Sequence, residues 1–251
     1  MASPRLHKYL TYPLAKPNAR LRLFCFPYAG GSARVFQKWL KLFPETIEVC
    51  PLEYPGRGAR LREQPFKRIS LLAADIAEAL LPLFDTPFIL FGHSMGAATA
   101  FELARHLRRA NKTLPVHFFV SACSSPQLPK EDSKVYELPE PEFIEELRRL
   151  NGTPDEVLEH PELMQLILPM LRADFEAVQT YSYVDEPPLS CPLTVYGGTE
   201  DESVSRDQLE GWRQLTSGPF SLQMFQGDHF YLNTSESVLA RSMISKMMTY
   251  L

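Results

Sequence analysis

The chain has 251 residues, which fits one large α/β domain or two small ones, and with 45 % hydrophobic and 22 % charged residues it has the balance of a soluble protein with a sizeable core. A formal net charge of −4 gives no electrostatic footprint for nucleic acid. No segment has the apolar stretch of a signal peptide or the roughly 20 apolar residues of a membrane span, so a cytoplasmic protein is expected.

In chain order, apolar runs alternate with helical patterns, the signature of a mostly parallel sheet flanked by helices. "RLRLFCFPYAG" (20–30) and "TIEVCPLEYPG" (46–56) are predicted strands that empty into Gly- and Pro-rich loops. "SLLAADIAEALLPLF" (70–84) carries apolar residues at helical spacing, and "PFILFGHS" (87–94) is a third strand. A helix, "AATAFELARHLRR" (97–109), and a strand, "VHFFVSACSSP" (116–126), follow. These strands are continuously apolar rather than alternating, as parallel strands buried on both faces should be.

The rhythm then breaks. From Leu128 to Pro188 there is no convincing strand, and "PEPEFIEELRRL" and "PELMQLILPMLRADFEAVQ" read as helices joined by "NGTPDEVLEH". Residues 128–188 are expected to form a helical lid inserted within a single domain spanning 1–251. Pro169 should kink its second helix. Leu163, Leu166, Ile167, Met170 and Leu171 either pack that helix on the core or line an apolar tunnel. The pattern resumes with strands "PLTVYGGTED" (192–201) and "FSLQMFQGDHF" (220–230) and a closing amphipathic helix, "SESVLARSMISKMMTYL". Cys25, Cys50, Cys123 and Cys191 are far apart, lack zinc spacing and sit beside apolar runs, so buried free thiols and a reducing compartment are expected.

Within "FGHSMG" (91–96) the spacing Gly92-x-Ser94-x-Gly96, between a strand and a helix, fits a nucleophile elbow. On so tight a turn, flanking residues crowd the neighbouring backbone unless they lack a Cβ. The helix N-terminus beneath Ser94 also aims unpaired N–H groups at an anion forming there. A serine nucleophile needs a base. Of six histidines, His7 lies in the N-terminal arm, His93 inside the elbow, His106 on the next helix, His117 in a strand and His160 in the lid. His229, in the late loop "QGDHF", is the predicted base. Its neighbour Asp228 is a poor orienter, since adjacent side chains point apart. The acid is predicted at Asp201, just past Gly197-Gly198, with Glu200, Glu202 and Asp207 as competitors. The oxyanion donors are predicted to be the backbone N–H groups of Met95 and of Ala29, in "FPYAGGS" (26–32), with Tyr28 close behind Ala29. That glycine pair is not a phosphate cradle, because no Gly-Lys-Ser/Thr or GxGxxG pattern is present.

Together, "FCFPYAGGSARVFQKW", "PLEYPGRGARLRE", "FGHSMGA", "LPMLRADFEAVQTYSY", "YGGTEDESV" and "GDHFYL" give a chain that nearly end to end resembles the type II thioesterases of modular peptide and polyketide synthases. The resemblance implies the α/β-hydrolase fold, with nucleophile Ser94, acid Asp201 and base His229, the same residues reached from spacing. It implies hydrolysis of acyl groups from the phosphopantetheine thiol of carrier proteins, clearing stalled synthases without metal or redox cofactor. It also implies a monomer whose partners are carrier domains, not nucleic acid or membrane. The rival expectations are a medium-chain fatty acyl-carrier-protein hydrolase, a broad carboxylesterase, an acyltransferase using the same acyl-serine, and a non-enzymatic binding module. Arg57, Arg60, Arg62, Lys67 and Arg68 form a basic run that either docks an acidic carrier or is an ordinary solvated face, with a structural role as a further reading for Arg57, whose loop belongs to the resemblance.

Overall fold

A computed structural model describes residues 8–11, 16–129 and 134–251. His7 and the first residues of the expected lid beyond Pro129, at 130–133, lie outside the described residues. Six strands form one sheet: β1 (Leu21–Phe26), β2 (Ile47–Pro51), β3 (Phe88–His93), β4 (His117–Ser121), β5 (Leu193–Gly198) and β6 (Phe220–Phe225). Their order is β2-β1-β3-β4-β5-β6, and every pairing is parallel. Each expected strand is present. The sheet is therefore wholly parallel, more regular than the expectation of mostly parallel.

Alternation along each strand divides two apolar layers. Phe24, Phe26, Phe88 and Leu90 face a core shared with the helices Ile69–Leu80 and Met95–Arg109. Leu21, Leu23, Cys25, Ile89 and Phe91 face the opposite core, closed by Trp39 and by the helix Glu236–Met247 through Leu239 and Met243. With both faces covered, strands β1 to β5 carry little polar side-chain character. The edge strand β6 is mostly half-buried. All four cysteines are free; three are buried and Cys123 is partly so. No helix of the described residues is long and apolar enough to cross a membrane.

Between β4 and β5 the described chain is helical: Glu140–Arg149, a short helix Asp155–Leu158 inside the segment expected to be a linker, and Pro161–Gln179. These helices build a separate apolar cluster from Phe143, Leu147, Leu158, Met164, Met170 and Leu171. Pro169 removes one backbone donor, yet the long helix runs on through it to Gln179. Met170 and Leu171 are buried, whereas Leu163 and Leu166 are exposed.

The helix Met95–Arg109 leaves the sheet so abruptly that its first turn lies on the end of β1. A Cβ at Gly96 would come within 2.0 Å of the Phe26 carbonyl oxygen and 2.7 Å of that of Pro27. Backbone on both sides leaves nothing flexible to yield. We expect Gly96→Ala to destabilise the protein by about 3 kcal/mol, the upper range for overpacking, read by urea denaturation; wild-type stability would mean that this approach is looser than described.

Candidate active site

Ser94 has φ 53° and ψ −119°, a left-handed conformation unusual for a residue with a side chain. The surroundings impose it. A Cβ at Gly92 would lie 2.4 Å from the backbone of Ala97, so the strand can turn back on the helix only with glycine there. The Ser94 N–H donates to the Ser121 carbonyl at 2.8 Å and its own carbonyl accepts from Ala97 at 2.9 Å. Phe91 to His93 and Met95 to Ala97 are buried, and Ser94 alone of these seven has partial solvent access.

The predicted acid and base arrive from the ends of β5 and β6. A Cβ at Gly198 would meet the carbonyl oxygens of Asp228 at 2.3 Å and Gly227 at 2.5 Å, so the two loops are in backbone contact. The Glu200 N–H donates to the Gly227 carbonyl at 2.9 Å and fixes their register. Asp201 Oδ1 accepts from the Ser203 and Val204 N–H groups at 2.8 and 3.0 Å. Its Oδ2 lies 2.8 Å from His229 Nδ1, and its side chain is only 1 % exposed against 17 % for His229. The competitors Glu200, Glu202 and Asp207 are exposed. Asp228 faces elsewhere, accepting from the Phe230 N–H and the Asn151 amide.

The His229 and His93 rings stand 5.4 Å apart, centroid to centroid, bringing His229 beside the residue that precedes Ser94. Among the described residues no hydrogen bond joins Ser94 Oγ to His229; such contacts commonly tighten only when substrate is bound. His93 shares a hydrogen bond with Ser121, which in turn shares one with Tyr231. Burial drives the His93 pKa well below the usual histidine range, and the neighbouring His229 pushes the same way. A neutral ring there presents no like charge to His229.

The loop after β1 forms the other wall. Among the described residues neither the Ala29 nor the Met95 N–H donates a hydrogen bond, so both remain available to an oxyanion. Tyr28 packs edge-on against His93 and Phe230. The helical insertion touches both walls. Leu171 would lie 2.7 Å from a Cβ at Gly30, and a Cβ at Gly152 would lie 2.7 Å from the Phe230 ring. Sequence reasoning missed Asp174, whose buried carboxylate accepts from the Gly30 N–H and pairs with Arg57. No local pattern could have singled it out.

The remaining histidines have other places. His117 is buried between Tyr250 and Thr194, and burial pulls its pKa down to about 4. His106 lies on the elbow helix, and His160 is exposed at the start of the insertion's long helix. The basic run is not one free patch. Arg57 and Arg60 are buried, Arg60 pairs with Glu63, and Lys67 pairs with Glu176.

A family described as "Thioesterase domain" matches residues 21–246. The gramicidin S biosynthesis protein GrsT of Aneurinibacillus migulanus is 42 % identical over 97 % of this chain and 95 % of its own length. A protein named linear gramicidin dehydrogenase LgrE, from Brevibacillus parabrevis, is also 42 % identical, over 97 % of this chain and 94 % of its own. The structure of the type II thioesterase BorB from the borrelidin biosynthetic cluster superposes with a TM-score of 0.84 at 36 % identity, covering 92 % of this chain and 94 % of that one.

If the Ser94 backbone is strained, Ser94→Gly relieves it and Ser94→Ala does not. We expect the glycine variant to be more stable than the alanine variant by about 1 kcal/mol, the low end of the cost of such a conformation. Paired chemical denaturation checks this, and equal stability would mean that the turn stores no strain.

Proposed function

Since this chain belongs to the thioesterase family, we propose that it hydrolyses acyl thioesters from the phosphopantetheine arm of carrier proteins, relieving peptide or polyketide synthases of stalled or aberrant acyl groups. The observation that carries the reading is the 2.8 Å pairing of His229 with a buried Asp201 at the sheet edge where Ser94 is presented on a strained turn. The name of the Brevibacillus relative denotes redox chemistry. The hydrolytic reading is preferred because a presented serine with a carboxylate-held imidazole is built for acyl transfer.

In the proposed reaction His229 takes the Ser94 proton as Oγ attacks the thioester carbonyl carbon. The carbonyl π electrons move to oxygen, and the N–H groups of Ala29 and Met95 hold the resulting oxyanion. Its collapse breaks the carbon–sulfur bond, and the departing phosphopantetheine thiolate takes the proton from His229. Water, deprotonated by the same imidazole, then attacks the acyl-serine; the second collapse releases the carboxylic acid and returns the proton to Ser94. Asp201 holds the tautomer with Nδ1 protonated and stabilises the imidazolium that forms twice per cycle. Every proton and charge in this scheme has a partner in the chain, so it calls for no metal or bound cofactor. The helical insertion, resting on both walls, serves as a lid over the acyl group. The reading extends to a monomer working in the cytoplasm beside its synthase.

A panel of acyl-carrier proteins assayed with wild type, Ser94→Ala and Asp201→Asn tests it. Wild type should hydrolyse the carrier-bound thioesters faster than oxygen esters of the same acyl groups. Ser94→Ala should be inactive, and Asp201→Asn should lose about 10⁴-fold in kcat through the wrong histidine tautomer. Undiminished turnover by Ser94→Ala would overturn the mechanism. Wild-type activity confined to medium-chain fatty acyl carriers would move the substrate assignment to fatty acid synthesis.

A further inference from the structure

One buried ion pair serves no step of the reaction and yet touches its machinery. Arg57 lies in the loop after β2, and Asp174 lies on the insertion's long helix, Pro161–Gln179. The pair is bidentate: Nη1 to Oδ2 is 2.8 Å and Nη2 to Oδ1 is 2.7 Å, with side chains 5 % and 2 % exposed. Burial alone would pull the Arg57 pKa down, but Asp174 holds it above the usual arginine value.

Both partners also grip the loop after β1. Asp174 Oδ2 accepts from the Gly30 N–H at 2.8 Å, and Arg57 Nη1 donates to the Gly31 carbonyl at 2.9 Å. Gly30 has φ +77° and no Cβ, and a Cβ there would lie 2.7 Å from Leu171, one helical turn before Asp174. One peptide separates the clamped Gly30 N–H from the Ala29 N–H. The orientation of the Ala29 amide is therefore tied to a carboxylate on the insertion as well as to Arg57 in the loop after β2.

We infer that Arg57 and Asp174 are positioning residues that make a complete oxyanion hole conditional on a seated insertion helix. This rests on the reading above that Ala29 donates to the oxyanion. When the helix lifts, Asp174 leaves with it, Gly30 loses its acceptor and the Arg57 guanidinium loses its bidentate partner, keeping only the nearby Glu53. Losing a bidentate carboxylate from a buried guanidinium is unfavourable, so the seated, hole-complete arrangement is the resting one. Substrate entry that displaces the helix disarms the site, and reseating over a bound acyl group rearms it.

The test uses two ligands of the full chain: a trifluoromethyl ketone analogue of the acyl group, which Ser94 adds to with formation of an oxyanion, and a non-hydrolysable thioether analogue, which forms none. In Asp174→Asn, which keeps the shape but removes the charge, kcat on an acyl-carrier protein should fall about 10–100-fold, the range for a misplaced donor. KM and thioether affinity should stay within about threefold, while ketone affinity falls by about the same factor as kcat. Values are taken per folded protein, with folding followed by circular dichroism. A purely structural role would lower the folded fraction and leave the ketone-to-thioether affinity ratio at its wild-type value, and that result overturns the inference. Should Asp174→Asn fail to fold, Arg57→Lys keeps a cation beside Asp174 but cannot grip Asp174 twice and Gly31 as well. The same ketone-specific loss is expected there, and an unchanged ratio overturns the inference equally. Wild type that neither hydrolyses a thioester nor binds the ketone through Ser94 would instead strike the hydrolase reading itself.

Discussion

The left-handed backbone at Ser94 is the constraint on which the rest of the site depends. A residue with a Cβ adopts such a conformation only where the surroundings leave no alternative, and the cost is about 1–3 kcal/mol. Here the alternatives are closed on three sides. Gly92 lets the strand pass against Ala97, Gly96 lets the helix lie on the carbonyls of Phe26 and Pro27, and the Ser94 N–H is tied to Ser121 on the neighbouring strand. A parallel sheet buried on both faces supplies the stability that keeps this turn strained rather than relaxed.

Every other group is placed relative to that turn by a close backbone approach. Gly198 against Asp228 joins the loop bearing Asp201 to the loop bearing His229, so the imidazole is oriented from the sheet itself. The loop bearing Ala29 is different. It takes its conformation from Gly30 and from an ion pair whose acidic member belongs to the insertion. The two walls are therefore held differently: one by contacts between loops of the sheet, and the other by the loop after β2 together with the insertion. Burial of His93 complements this, because an uncharged neighbour places no like charge beside His229, the proposed base.

Much of this was legible in the sequence. Continuous apolar runs ending in glycine or acidic loops located all six strands, and the chain order singled out Asp201 and His229, whose side chains pair at 2.8 Å. The strand and elbow signals are local, depending on residues a few positions apart, and the acid and base are identified by chain order together with the short loop motifs in which they sit. What stayed hidden depends on distant partners. Arg57 and Asp174 are separated by 117 positions, and nothing near either residue says that they meet. Arg60 reads as part of a surface basic run, and Arg57 only alternatively as structural, because charge alone does not report burial. Leu163 and Leu166 belong to a helix apolar on several sides, and only packing decides which side faces in. The short helix Asp155–Leu158 hid because one turn is too brief to show periodicity.

The central claim is that the hydroxyl of Ser94, the imidazole of His229 and the amides of Ala29 and Met95 converge on one reacting atom. A crystal structure of the protein inactivated by an alkyl fluorophosphonate tests it most directly. The account predicts phosphorus bonded to Ser94 Oγ, with its oxygen within about 3 Å of both amide nitrogens and His229 Nε2 in hydrogen-bonding reach of Oγ. An adduct on another residue, or a phosphonyl oxygen turned to solvent with the imidazole out of reach, would contradict it.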